Sequence, residues 1–162
     1  MTTLLDNPRL SHFVEESGVL LEEWGAPRML GRIVGWLLCC DPAEQTAAQL
    51  CEVLRASKGS ISTGTRSLLQ MGVIEKITRP GERAAYFRIG PGAWKNLMRR
   101  DAMRIKLMHE WSLRGLDMMA SQSEAQRARL DELSGFLRFI DEEYPAFLER
   151  FDTWWTNQKE ER

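Results

Sequence analysis

Residues 57–72, SKGSISTGTRSLLQMG, combine an apolar stripe with a face rich in hydroxyl groups. Small and apolar residues recur there at helical spacing, which predicts a helix over residues 58–71 with one buried side and with Ser57 as its amino-terminal cap. The buried side is predicted to consist of Ile61, Gly64, Thr65 and Leu68. Serine and threonine are mediocre helix formers, and a face that only had to be solvated would more often use Glu, Lys or Gln. The exposed face is therefore predicted to contact a partner.

The segments around this helix predict a helix-turn-helix followed by a wing. Thr46 can cap a short helix, TAAQLCEVLRA, and a tight link joins that helix to the polar one. Two β-like runs follow at residues 73–78 and 84–89, joined by the turn sequence RPGER. They predict a hairpin whose tip projects the positive charges of Arg79 and Arg83.

Two further helices are predicted to precede this motif. The first ends near Gly25, and the second, PRMLGRIVGWLLCC, is apolar nearly all round and should be central. Gly31 and Gly35 lie four residues apart in the second helix. This spacing favours close helix packing over a phosphate-binding loop, because no glycine-rich turn ending in Lys-Ser/Thr follows.

The last part of the chain is predicted to form long helices. One runs from residue 91 to about residue 119, and another begins after Ser123, a suitable cap. Apolar residues in the second helix follow alternating steps of 3 and 4, the seam of a coiled coil or an antiparallel bundle. The seam residues, which we assign to dimerisation, are Leu130, Leu133, Leu137, Ile140, Tyr144, Phe147, Phe151 and Trp154. Because Pro145 interrupts the backbone ladder within the seam, we expect a kink or two consecutive helices there.

The seam has two interpretations. It could fold back onto the chain's own core, or it could pack against a second copy. Its length favours the second copy, since a winged domain of ~90 residues cannot cover it all. A dimer would also present its two copies of the helix at residues 58–71, roughly 34 Å apart, to a two-fold symmetric binding site. Trp154 and Trp155 could instead line a pocket for a quaternary ammonium ligand, although core packing is the more common use of tryptophan.

The formal net charge of −1 conceals a strongly polarised distribution of charge. Residues 55–106 contain 12 basic and 3 acidic side chains, so the other residues hold 10 of the 22 basic and 20 of the 23 acidic ones. Residues 55–106 therefore have a net charge of +9, and the rest of the chain has a net charge of −10. Such a separation of charge is expected when one part of a protein faces a polyanion.

Other function classes find little support in the sequence. The longest apolar run, IVGWLLCC, is too short to span a membrane, and the amino terminus lacks the pattern of a secretory signal, so we expect a cytoplasmic protein. Cys39, Cys40 and Cys51 show no metal-binding spacing and are interpreted as small buried residues, with redox sensing as the alternative. No nucleophile and base pair is evident, so we predict neither an enzyme nor a cofactor.

Together, the hydroxyl face, the hairpin and the basic segment predict a protein that binds double-stranded DNA. Short polar side chains at the amino end of a helix let its backbone approach the major groove, and arginine is favoured in the minor groove. The predicted DNA-binding residues are Lys58, Ser60, Ser62, Thr63, Arg66, Ser67, Arg79 and Arg83. The alternative is a winged-helix adaptor whose basic face binds an acidic protein.

The sequences GAPRMLGRIVGWLLCCDP, ASKGSISTGTRSLLQMGVIEKI and RPGERAAYFRI together resemble the MarR-type winged-helix regulators, specifically the GbsR-like branch. The resemblance is close over residues 10–90 and loose over the helical remainder. It implies a mainly α fold, with a winged helix-turn-helix DNA-binding domain at residues 1–90 and a helical dimerisation region at residues 91–162. It also implies transcriptional control, usually repression relieved by a signal. Some members of that branch respond to choline, so the resemblance adds a small-molecule effector to the expectations without identifying it.

Overall fold

The structure is a computed structural model that describes residues 7–160, and these residues form six helices and three short strands. The elements are α1 (Pro8–Glu23), α2 (Arg28–Cys39), β1 (Gln45–Thr46), α3 (Ala47–Val53), α4 (Lys58–Met71), β2 (Ile74–Thr78), β3 (Ala85–Ile89), α5 (Ala93–Met118) and α6 (Glu124–Glu160). The chain divides into two compact units, Met1–Trp94 and Lys95–Arg162. The predicted fold class, mainly helical with a small β wing and long carboxyl-terminal helices, is confirmed.

Side-chain caps set the starts of the short helices. The Thr46 hydroxyl accepts a hydrogen bond from the backbone N–H of Gln49, while the Gln49 side chain accepts one from the backbone N–H of Thr46 in return. The Ser57 hydroxyl accepts from the backbone N–H of Ser60 at 3.1 Å and so begins α4. Helix α4 ends at Gly72, whose φ of 70° is readily adopted by glycine. The predicted caps at Thr46 and Ser57 are confirmed.

Helices α1 and α2 approach each other closely along the glycine-spaced face of α2. A Cβ atom added at Gly31 would lie 2.7 Å from the Ser17 carbonyl carbon and 2.8 Å from the Gly18 Cα. One added at Gly35 would lie 2.6 Å from the Ser17 hydroxyl oxygen. The backbones can therefore meet only because these positions carry no side chain, and the packing interpretation of the glycine pair is confirmed.

Helix α2 contributes much of the core of the first unit. Leu30, Ile33, Trp36 and Leu37 are buried, as expected of a central helix, although Leu38 at its carboxyl end is 49% exposed. The indole N–H of Trp36 donates to the side-chain oxygen of Gln45 at 3.3 Å. This bond gives a buried indole a polar partner and links α2 to the sheet.

The wing is part of a three-stranded antiparallel sheet with the strand order β1-β3-β2. Strands β2 and β3 form the predicted hairpin, in which Lys76 lies opposite Phe87. Strand β1 was not predicted. It has only two residues, pairing Gln45 with Phe87 and Thr46 with Tyr86, so it carries no periodicity that a sequence pattern could reveal.

The second unit pairs α5 with α6 in an antiparallel arrangement. The Tyr144 hydroxyl lies 3.3 Å from the Met98 sulfur, and the Lys95 ammonium, earlier in α5, pairs with Asp152, later in α6. Helix α6 continues through Pro145, so the expectation of two consecutive helices is wrong. A proline removes one backbone hydrogen bond and clashes with the preceding turn. Here, contacts with α5 on either side of Pro145 support the helix.

No helix within residues 7–160 has the length and apolar character needed to cross a membrane.

Candidate nucleic-acid interface

Helix α4 has the two faces that the sequence predicts. Ile61, Gly64, Thr65 and Leu68 are all buried, and Ile61 has no exposed surface at all. The hydroxyl of Thr65 donates to the carbonyl of Ile61 at 2.8 Å, so this buried polar group is satisfied within the helix. The predicted buried stripe is therefore confirmed.

The opposite face of α4 carries short polar side chains and one arginine. Its exposed members are Lys58, Ser62, Thr63 and Arg66, while Ser60 and Ser67 are half-buried. The first turn contains no acidic residue, so nothing there offsets the positive end of the helix dipole. This end of α4 presents backbone N–H groups, hydroxyls and a lysine, which are the groups that bind phosphate oxygens.

A glycine in the buried stripe lets α4 sit close to α2. A Cβ atom added at Gly64 would lie 2.6 Å from the Ile33 Cδ1 atom. This close approach packs α4 against the core and leaves its hydroxyl face exposed to solvent.

Arg32 fixes the turn that leads into α4. Its guanidinium donates to the carbonyl of Leu54 at 2.8 Å and to the Glu15 carboxylate of α1, also at 2.8 Å. Leu54 ends α3, and the next residue, Arg55, has a φ of 48°, which is uncommon for a residue other than glycine. Sequence analysis missed Arg32, because it lies in an apolar helix and its partners are 17 and 22 residues away.

The two arginines of the wing have different surroundings. Arg83 is exposed and forms no ion pair within residues 7–160. Arg79 is 48% exposed and pairs with the Glu44 carboxylate at 2.6 Å, and this hydrogen bond raises the pKa of Arg79. The charge of Arg79 is therefore paired with Glu44, whereas Arg83 lies exposed in the turn of the wing. Glu44 was missed because the sequence pattern gives no reason to place it beside a residue 35 positions away.

The predicted dimerisation seam is divided between covered and exposed residues. Leu137 is only 3% exposed, so the single chain already covers it. Phe147 and Trp154 are 49% and 55% exposed. The other members, Leu130, Leu133, Ile140, Tyr144 and Phe151, are half-buried. Part of the seam thus packs within its own unit, as in the fold-back interpretation, and its carboxyl-terminal part stays accessible.

Helices α5 and α6 also expose many large apolar side chains outside the seam. The exposed set on these helices is Trp94, Met103, Leu107, Met108, Trp111, Leu113, Met118, Phe136, Phe139 and Trp155. Near the end of α6, the ring of Phe151 stacks on that of Trp155 with centroids 6.2 Å apart, and the Trp154 ring lies beside both. Monomeric proteins rarely expose so much apolar surface without a partner for it.

The cysteines are free thiols and are half-buried rather than buried. Burial raises the pKa of Cys40 to about 11, with a further contribution from neighbouring Cys39, and burial also raises the pKa of Cys39. Thiolate is the reactive form, so this environment disfavours oxidation of either residue at neutral pH. Within residues 7–160, no three His, Cys, Asp or Glu side chains are grouped so that they could hold a metal ion.

Comparison with known proteins identifies the family of this chain. A family model described as MmpR5-like MarR family transcriptional regulator matches residues 92–154. The HTH-type transcriptional regulator MmpR5 of Mycobacterium tuberculosis is 34% identical over 134 residues, which cover 83% of this chain and 81% of that protein. A crystal structure of a transcriptional regulator superposes with a TM-score of 0.81 at 32% identity, covering 90% of this chain and 99% of the other. Transcriptional regulators of this family are not enzymes. The chain belongs to the MarR family of winged helix-turn-helix transcriptional regulators.

Proposed function

We propose that this regulator binds double-stranded DNA as a homodimer and represses transcription, with α4 in the major groove and the wing beside it. The observation that carries the proposal is the exposed hydroxyl and arginine face of α4, and the exposed Arg83 in the turn of the wing supports it. The proposed DNA-binding residues are those predicted from the sequence, with residues 1–90 as the DNA-binding domain and residues 91–162 as the dimerisation region. A cytoplasmic location follows from this function.

The salt dependence of DNA binding tests the proposal. If Lys58 and Arg83 of both protomers neutralise phosphates, log K should fall linearly with log salt concentration with a slope of about −4. Replacing Arg83 with alanine should reduce the size of the slope by about 2 per dimer, since two contacts are lost. Fluorescence anisotropy with labelled duplexes at several salt concentrations measures both slopes.

A matched control uses a cation outside the proposed interface. Arg138 lies on α6 with a side chain 67% exposed, and Arg138→Ala removes the same charge without touching α4 or the wing. Its slope should equal that of the unaltered protein. A slope near zero for the unaltered protein would instead favour an adaptor that binds an acidic protein through the same basic face.

The homodimer is supported by the exposed apolar side chains of α5 and α6, and it predicts twice the chain mass of 18.7 kDa in sedimentation equilibrium. Trp154→Arg should weaken self-association at least about tenfold, because it places an unpaired charge in an apolar interface. Thr153→Arg is the matched control, since it adds the same charge at the neighbouring exposed position outside the seam. Equal effects of the two variants would remove Trp154 from the proposed interface.

Two finer proposals rest on the sequence resemblance. The GbsR-like branch and a small-molecule effector are both carried by the similarity of residues 10–90 to that branch. A ligand that binds one geometry of the dimer better than another would change the separation of the two α4 helices and thereby the affinity for DNA.

A further inference from the structure

Glu44 binds two arginines of the wing through separate carboxylate oxygens. Its Oε2 atom accepts from Arg79 at 2.6 Å, and its Oε1 atom accepts from Arg88 at 3.1 Å. Glu44 immediately precedes β1, the short strand that pairs with β3, and its side chain is only 21% exposed. Backbone pairing of the residues that follow Glu44 therefore holds its carboxylate at the sheet, where it binds Arg88 of β3 and Arg79, the residue after β2.

Other side chains of the wing complete this cluster. Arg88 also pairs with Glu75, which lies opposite it in the sheet. The guanidinium of Arg79 lies 4.3 Å from the centre of the Tyr86 ring, and the Tyr86 hydroxyl donates to Glu82 at 2.6 Å. Three carboxylates thus surround two guanidinium groups, so the cluster has no surplus positive charge. Arg83 lies outside it.

We propose that Glu44 is a positioning residue of the wing, which holds Arg79 against the sheet and competes with DNA phosphates for its guanidinium. This inference rests on the DNA-binding function proposed above. Carboxylate and phosphate oxygens bind arginine with similar geometry, so Arg79 can reach a phosphate only by leaving Glu44. When Arg79 moves from Glu44 to a phosphate, it neutralises the charge of that phosphate and leaves the Glu44 carboxylate unpaired. The number of unpaired negative charges therefore stays the same. Arg79 therefore adds little to the salt dependence of binding while Glu44 is present.

A double-mutant cycle isolates this competition. Glu44→Gln removes the negative charge and keeps the shape of the side chain. It should steepen the salt slope by about 0.9 per wing. It should also tighten DNA binding roughly two- to fivefold at ~0.1 M salt, the scale of one exposed ion pair. Both effects should vanish when Glu44→Gln is made together with Arg79→Ala, because the released cation is then missing.

The control for a general loss of negative charge is Glu52→Gln. Glu52 is an exposed residue of α3 in the same unit, and it forms no ion pair within residues 7–160. If Glu52→Gln steepens the slope as much as Glu44→Gln does, or if the effect of Glu44→Gln survives in the Arg79→Ala background, the inference is overturned.

A measurement without DNA separates failure of this inference from failure of the proposed function. Trypsin can cleave after Arg83 in the exposed turn of the wing, and loss of the anchor at Glu44 should speed that cleavage at least about twofold, as followed by mass spectrometry. Glu52→Gln should leave the cleavage rate unchanged. If the unaltered protein shows no salt-dependent DNA binding, the proposed function fails, and the trypsin rates still test whether Glu44 positions the wing. Unchanged cleavage in Glu44→Gln would overturn that positioning.

Discussion

The Gly31→Ala protein is expected to lose at least about 3 kcal/mol of unfolding free energy, the upper end of the usual cost of overpacking. The added methyl group would lie 2.7 Å from the Ser17 carbonyl carbon and 2.8 Å from the Gly18 Cα. These are backbone atoms, so the contact cannot be relieved by rotating a side chain, and α1 must move away from α2. Thermal unfolding should show a decrease in Tm of roughly 10 °C.

A second glycine provides the matched control for this prediction. Gly59 lies in α4 of the same unit, and the nearest atom to a Cβ added there is the Ser57 hydroxyl oxygen at 3.9 Å, an ordinary contact. Gly59→Ala should therefore be neutral or stabilise the protein by up to about 1 kcal/mol, since alanine is the better helix former. If Gly31→Ala and Gly59→Ala unfold at the same temperature, the close approach of α1 and α2 does not have the energetic role assigned to it.

Arg66→Ala is expected to reduce discrimination between specific and random DNA by about 1–3 kcal/mol per half-site. Arg66 is exposed near the middle of the α4 face, where an arginine can donate two hydrogen bonds to a guanine edge. A selection of bound fragments from the host genome first supplies the specific sequence. Competition between that sequence and random duplex, measured by anisotropy, then gives the ratio of affinities.

Arg66→Lys separates the charge of this residue from its geometry. Lysine keeps the positive charge but lacks the planar fork of arginine, so affinity for random duplex should stay near that of the unaltered protein while discrimination falls. If Arg66→Lys discriminates as well as the unaltered protein does, Arg66 contacts phosphate rather than a base edge.

Features encoded by local periodicity could be predicted from the sequence. The buried stripe of Ile61, Gly64, Thr65 and Leu68 follows from a rotation of ~100° per residue, and it matches the buried residues of α4. The caps at Thr46 and Ser57 are equally local, because each side chain binds a backbone N–H three residues ahead.

Features that depend on distant residues could not be predicted in the same way. Strand β1 exists only through its pairing with β3, and Glu44 meets Arg79 only after the sheet has formed. The spacing of the α6 seam predicted an apolar face. It gave no indication that Leu137 would be covered by its own chain. The resemblance to the MarR-type regulators is close over residues 10–90 and loose over the helical remainder, whereas the family model matches residues 92–154.

The bonds of Arg32 constrain how the first helix can move. Because one guanidinium spans Glu15 on α1 and the Leu54 carbonyl at the entrance to α4, α1 cannot slide along its axis without stretching a 2.8 Å hydrogen bond at one end or the other. A displacement of α1 would therefore be transmitted through the hydrogen bonds of Arg32 to the segment that orients the hydroxyl face.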